Sequence, residues 1–179
     1  ENLINELYPG KIIDYVKCLE CHTESRRTNV ILDISLCIKP FGSDKTYESV
    51  QEALDAYVQP EILDENNKYF CDKCSQRCKA HKGLKFESFP YIISLQLNRF
   101  DFDYKTMSRF KLSDLVSFEE HMNIKKYLIN GDEFNGEEVN AAKTDNSYDY
   151  ELFSIMIHSG SATGGHYYAY IKCFETNQW

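Results

Sequence analysis

The sequence predicts an α+β fold, mainly antiparallel β. Three observations carry that prediction: two Cys-x-x-Cys turns each set in β-rich surroundings, one clear amphipathic helical stripe, and two C-terminal β-branched and aromatic runs separated by a glycine-rich segment.

In chain order, residues 11–39 read as a β-hairpin. Ile13, Tyr15 and Lys17 lead to Cys18 and Cys21 at its tip, and residues 30–38 return with β-branched side chains. Ser49-Val50-Gln51-Glu52 matches a capping box, and Val50, Leu54, Tyr57 and Val58 form the stripe of one helix that stops before Pro60. A second hairpin carries Cys71 and Cys74 at its tip, with residues 84–89 leading away. The apolar run 91–100 reads as a strand buried on both faces. A loop is expected at 101–109 and another strand over 110–118. Residues 130–149, with Asn130-Gly131, Asn135-Gly136 and Glu137-Glu138, read as a linker or insertion, and 131–149 is expected to be mobile. Residues 150–158 and 166–174 then form antiparallel neighbours joined by a loop at 159–165.

Composition narrows the function classes. A chain of 179 residues that is 42% hydrophobic can bury one sizeable core. Its formal net charge of -8 argues against a nucleic-acid partner, because phosphate binding relies on clustered Lys and Arg. No apolar run approaches the roughly 20 residues of a membrane-spanning helix, so no membrane partner is expected. Residues 1–5 lack the basic start and apolar centre of a signal peptide.

Seven cysteines, four of them in two pairs of identical spacing, suggest metal binding more than a disulfide framework. A reducing compartment follows: cytoplasmic, with room for a nuclear pool. A Cys-x-x-Cys turn presents two thiolates to one ion, and two such turns close a tetrahedral site. Cys18, Cys21, Cys71 and Cys74 are therefore expected to hold one structural zinc per chain, the alternatives being reduced buried cysteines or a redox pair. The gap between the pairs exceeds that of a zinc ribbon, which the intervening helix accounts for. A closed site of four cysteines has no open position and does no chemistry. His22, Cys78 and His81 are expected to be bystanders, and Cys37 and Cys173 core residues.

His166 follows two glycines and begins a strand-like run. A cysteine protease needs an imidazole held rigidly beside a thiol, and a strand end supplies that rigidity. A lone histidine can equally be structural.

Residues 150–170, YELFSIMIHSGSATGGHYYAY, resemble the histidine box of ubiquitin-specific proteases, and residues 89–100, FPYIISLQLNRF, resemble the strand motif preceding it. The two cysteine pairs are similar to the zinc-bearing fingers of that family, and the resemblance covers essentially the whole chain. It implies a papain-like hand fold with fingers and palm but without the thumb: one catalytic domain of which about 11–88 would be fingers with an inserted helix and about 89–179 palm.

The same resemblance implies that His166 is the general base of a thiol-dependent deubiquitinase. Asn98, Phe100, His158, Gly165 and Tyr167 would then border the channel for the ubiquitin tail. Glycine there would let a substrate backbone ending in Gly-Gly approach. The loops at 101–109 and 159–165 resemble the family's blocking loops. Ubiquitin, ubiquitinated proteins and the missing thumb segment are the implied partners. None of the seven cysteines has the context of the family's nucleophile, so that thiol is expected outside this chain. The orienting Asp or Asn normally follows a Trp by a few residues, whereas this sequence stops at Trp179. Neither Asp145 nor Asp149 matches it. This polypeptide alone is expected not to hydrolyse isopeptide bonds. A noncatalytic ubiquitin-binding module is the alternative from another class, and a zinc-stabilised scaffold a third.

Overall fold

A computed structural model describes residues 2–40, 42–129 and 148–179. Over these residues the fold is α+β, and every strand pairing but one is antiparallel. The short helix α1 (Leu3–Leu7) is capped by the Asn2 side chain. Strands β1 (Gly10–Cys18) and β2 (Glu24–Ile31) form the expected hairpin, from Gly10 opposite Ile31 to Lys17 opposite Glu24.

The return run then splits. β3 (Ile34–Cys37) leaves the hairpin and pairs in parallel with β8 (Leu95–Asn98). Its alternation, with Ile34 and Leu36 buried and Ser35 and Cys37 exposed, puts one face into the core.

Helix α2 (Val50–Val58) obeys its sequence signals. Ser49 Oγ accepts from the Glu52 amide at 3.1 Å, and Glu52 Oε2 reaches back to the Glu48 amide at 2.7 Å. Val50, Ala53 and Leu54 are buried, and Gln59 turns extended before Pro60. β4 (Glu61–Leu63) follows and adds to the edge of β7 (Ala80–Ser88), which also pairs with β1, giving a sheet ordered β2-β1-β7-β4.

The second cysteine hairpin is shorter than expected. It consists of β5 (Tyr69–Cys71) and β6 (Gln76–Cys78), and residues 84–88 belong to β7 in the larger sheet. At the β1–β7 ladder the register shifts between Lys11 and Ile12, leaving Glu87 unpaired. The consecutive Ile12 and Ile13 point to opposite faces of the sheet, and both are buried.

Three expectations for 91–118 are corrected. The run 91–100 is not a strand buried on both faces: Leu95–Asn98 forms one short strand that alternates between half-buried and exposed, Phe100 already begins the next, and Tyr91 is 79% exposed. The pairing to β3 on one edge, rather than sandwiching between layers, explains that pattern. The expected loop at 101–109 is a hairpin of β9 (Phe100–Asp103) and β10 (Ser108–Lys111). Asp103 closes its turn by accepting from the Lys105 amide and the Thr106 hydroxyl. Beyond Lys111 the strand ends, and residues 112–118 make only a single bridge, Ser117 to Ser49.

β11 (His121–Asn123) pairs with β12 (Asp149–Glu151). Apart from Tyr148 and Asp149, the acidic insertion lies outside the described residues, as does the expectation of its mobility. β13 (Ser154–Ser161) and β14 (Gly164–Ile171) are the expected antiparallel neighbours, but their ladder runs into the glycine segment and closes over Ala162 and Thr163. The supposed loop at 159–165 is mostly strand.

The core gathers Ile34, Leu36 and Ile38, the buried face of α2, Phe86, Leu112, Val116, Ile124 and Tyr127. Phe86 is fully buried and stacks on Phe89 at 4.4 Å. One core thus joins residues from both sides of position 88. A separate small cluster consists of Cys18, Cys71 and Cys78, with Cys21, Tyr69 and Cys74 packed against it.

Candidate functional site

The turns after β1 and β5 bring the two cysteine pairs together. The sulfurs of Cys18, Cys21, Cys71 and Cys74 all lie within 4.8 Å of one another, with Cys21 and Cys71 3.5 Å apart. Four thiolates at about 2.3 Å from a tetrahedral ion would sit about 3.8 Å apart, so the donor set and its spacing fit zinc. The hairpins are also tied by the Leu19 amide, which donates to the Lys79 carbonyl at 2.9 Å. Hydrogen bonds from the Thr23 hydroxyl and backbone pull the Cys21 thiol down to about 6, predisposing it to act as a thiolate ligand. Hydrogen bonding to Cys21, followed by burial, pushes the Cys74 thiol up.

The other thiols fall elsewhere. Cys37 and Cys173 are exposed rather than core residues. Cys37 sits on the outward face of β3 and donates to the Lys39 carbonyl at 2.8 Å, while Cys173 lies past the end of β14, bridged to Gln178. Cys78, expected to be a bystander, is buried in the sulfur cluster itself.

The C-terminal ribbon holds the predicted histidines. His158 stands directly opposite Tyr167, and Ser159 opposite His166. Because side chains alternate across a ribbon, His158 and Tyr167 share one face while His166 shares the other with Tyr168 and Tyr170. The His158 ring lies 4.7 Å from that of Tyr167 and 5.4 Å, edge-on, from that of Phe100. Gly165 completes this group: a Cβ there would come within 2.5 Å of His158 Nε2 and would also meet the Ser159 carbonyl.

Phe100, His158, Gly165 and Tyr167 are therefore brought together. Asn98 is exposed at the end of β8, beside Cys37 in register. His166 is exposed on the opposite face. That face continues to Ile155 and Tyr170, which with Phe118, Glu120, Leu152 and Trp179 line a cavity of about 340 Å³.

Two residues of this region were not singled out from the sequence. Lys111 Nζ donates to the His158 carbonyl at 2.7 Å and to the Gly160 carbonyl at 3.3 Å, fastening β10 to the ribbon. Arg99 donates to the carbonyls of Leu112 and Asp114 at 3.2 and 2.8 Å, holding the chain that leaves β10. Arg99 lies inside the strand motif and could have been found there; an isolated lysine gives no such signal. Nearby, Glu120, His121 and Glu151 form an exposed group, but the Lys172 ammonium bonds both carboxylates at 2.6 Å and supplies the cation they need.

All of residues 1–179 match the family model described as ubiquitin carboxyl-terminal hydrolase, and the chain belongs to that family. It is similar to ubiquitin carboxyl-terminal hydrolase 47 of Drosophila melanogaster, 44% identical over 233 residues that cover 99% of this chain and 15% of that protein. The protein of the same name from Homo sapiens is 43% identical over 222 residues, 99% of this chain and 16% of that protein. Ubiquitin carboxyl-terminal hydrolase 15 of Schizosaccharomyces pombe is 34% identical over 179 residues, covering 100% of this chain and 14% of its own length. The chain thus spans only 14% to 16% of these curated relatives.

Proposed function

We propose that this chain is the fingers-and-palm part of a thiol-dependent deubiquitinase that cleaves after the C-terminal glycine of ubiquitin. The observation that carries this reading is the family match over every residue of the chain. About 11–88 would be fingers and about 89–179 palm. Ubiquitin, ubiquitinated proteins and a thumb segment would be its partners, in the cytoplasm and nucleus.

Zinc held by Cys18, Cys21, Cys71 and Cys74 would cross-link the two hairpin tips and leave no open position for catalysis. His166 would take the proton of the nucleophilic thiol and later return it to the leaving amine. That thiol would come from outside these residues, because five of the seven cysteines gather in the sulfur cluster and neither Cys37 nor Cys173 has the sequence context of the family's nucleophile. Asn98, Phe100, His158, Gly165 and Tyr167 would border the substrate tail. The tail would cross the ribbon at Gly164, where nothing lies within 4 Å of the place a side chain would take and the substrate backbone can approach.

The test is cleavage of a ubiquitin C-terminal amide by this chain combined with a separately made thumb fragment, and by the longer protein, each with and without His166→Ala. Activity that needs both pieces, and a loss of about a thousandfold or more on His166→Ala, is the expected result. Ubiquitin binding without cleavage in either form would instead make the protein a noncatalytic ubiquitin-binding module.

A further inference from the structure

The buried members of the second cluster are all cysteines, and there are three of them: Cys18, Cys71 and Cys78. Cys78 thus packs against thiols, with Tyr69 as the one other side chain in the group, and not against the aliphatic core where a cysteine serving as a small apolar residue would be placed. Its position follows from the register. Cys71 stands opposite Gln76 and Tyr69 opposite Cys78, so Cys71 and Cys78 project from the same face of the β5–β6 ribbon as diagonal neighbours. The Cys78 thiol donates to the Gln76 carbonyl at 3.7 Å. It lies outside the set of four sulfurs that are all mutually within 4.8 Å.

Cys74 and Cys78 differ in how they are held. Cys74 lies in the turn between β5 and β6, is half-buried, and is followed by Ser75 at φ 53°. Cys78 is on a paired strand and is 3% exposed. The more accessible of two adjoining donors is therefore the one on the turn, and the buried one is fixed by the ladder.

We propose that Cys78 is a reserve zinc ligand that replaces Cys74 when that thiol is lost or modified, giving the alternative set Cys18, Cys21, Cys71 and Cys78. The inference rests on the zinc reading of the cluster. In the exchange the Cys78 thiol gives its proton to solvent as its sulfur takes the coordination position that Cys74 leaves, so the site keeps four thiolates and its charge. The turn at 72–75 need only swing outward, while β6 stays paired.

The experiment uses this chain and its Cys74→Ser, Cys78→Ser and doubly substituted forms, loaded with zinc for stoichiometry and competition against a chelator, and with cobalt for the thiolate absorption spectrum. One zinc in the unaltered chain tests the cluster itself; none would remove the zinc reading, whatever the variants do. Given that zinc, Cys74→Ser should still bind one ion with affinity within about tenfold and a four-thiolate cobalt spectrum. Cys78→Ser should match the unaltered chain, and the double variant should lose about a hundredfold or more. A Cys74→Ser chain that binds no metal, fails to fold with zinc present, shows a three-thiolate spectrum, or matches the double variant overturns the proposal.

Discussion

His158 and Tyr167 face each other across the β13–β14 ladder with ring centroids 4.7 Å apart, and the imidazole fills the space over Gly165. Gly165→Ala would drive a methyl group into His158 Nε2 and the Ser159 carbonyl. Because the obstacle includes backbone, rotating the histidine would not relieve it. A loss of about 1–3 kcal/mol is expected, the range of overpacked sites. Urea unfolding of the substituted chain checks this, and an unchanged midpoint would mean that the ribbon opens freely at its glycine end.

Lys111 ties β10 to the ribbon through the carbonyls of His158 and Gly160. Lys111→Met keeps the length of the stem and removes both bonds, so a loss of about 1–2 kcal/mol is expected for a partly buried charged donor. Hydrogen exchange should quicken in β13 and β14 while β1 and β7 keep their protection. Uniform loss of protection across all four strands would mean instead that Lys111 supports the whole fold.

What the sequence made legible was local. The capping box and stripe located α2 because its hydrogen bonds close within the helix, and the Cys-x-x-Cys spacing located four sulfurs that meet in space. The C-terminal hairpin was also visible, since its partners are neighbours in the chain. The parallel pairing of β3 with β8 was not, because nothing in either run names a partner some 60 positions away. The run 91–100 misled for a related reason: apolar content signals burial without saying how many edges or faces will be covered, and only four of its residues join β8. The division of the histidines between opposite faces needed the register as well as the alternation. From sequence alone His158, His166 and Tyr167 read as one group.

Lys172 is buried between Glu120 and Glu151, with Nζ 2.6 Å from an oxygen of each. The lysine, hydrogen-bonded to the two carboxylates, holds its proton more tightly than usual, and Glu120 is pulled below the ordinary carboxylate range by that same hydrogen bond. A depressed carboxylate contributes stability above its unfolded value, about 4.3, that is lost as pH falls through the folded value. A raised lysine contributes below its unfolded value, about 10.4, and that share is lost as pH rises through the folded value. The difference in melting temperature between the unaltered chain and Lys172→Met should therefore be a plateau between these limits, shrinking on both sides. A difference that persisted unchanged into strong acid would show that Lys172 acts through the packing of its stem.

Removing metal should act on the hairpin tips and leave the ribbon alone. The sulfur cluster and the main core share no buried residue, and the cluster contains few apolar groups to hold it once the thiolates lose a common ion. Adjacent thiolates without a cation repel, and protonating them leaves neutral thiols with little to gain from contact. Treatment of the zinc-loaded chain with a strong chelator should therefore speed hydrogen exchange at 18–23 and 71–78 and expose the cysteines to alkylation. Exchange in α2 and in β13 and β14 should change little. Lowering the pH should release the ion without a chelator, because protons compete for the same sulfurs, and the midpoint should rise as zinc is diluted. If chelation melted α2 and the ribbon together with the tips, the cross-link would be a support of the entire fold rather than of the two hairpins it joins.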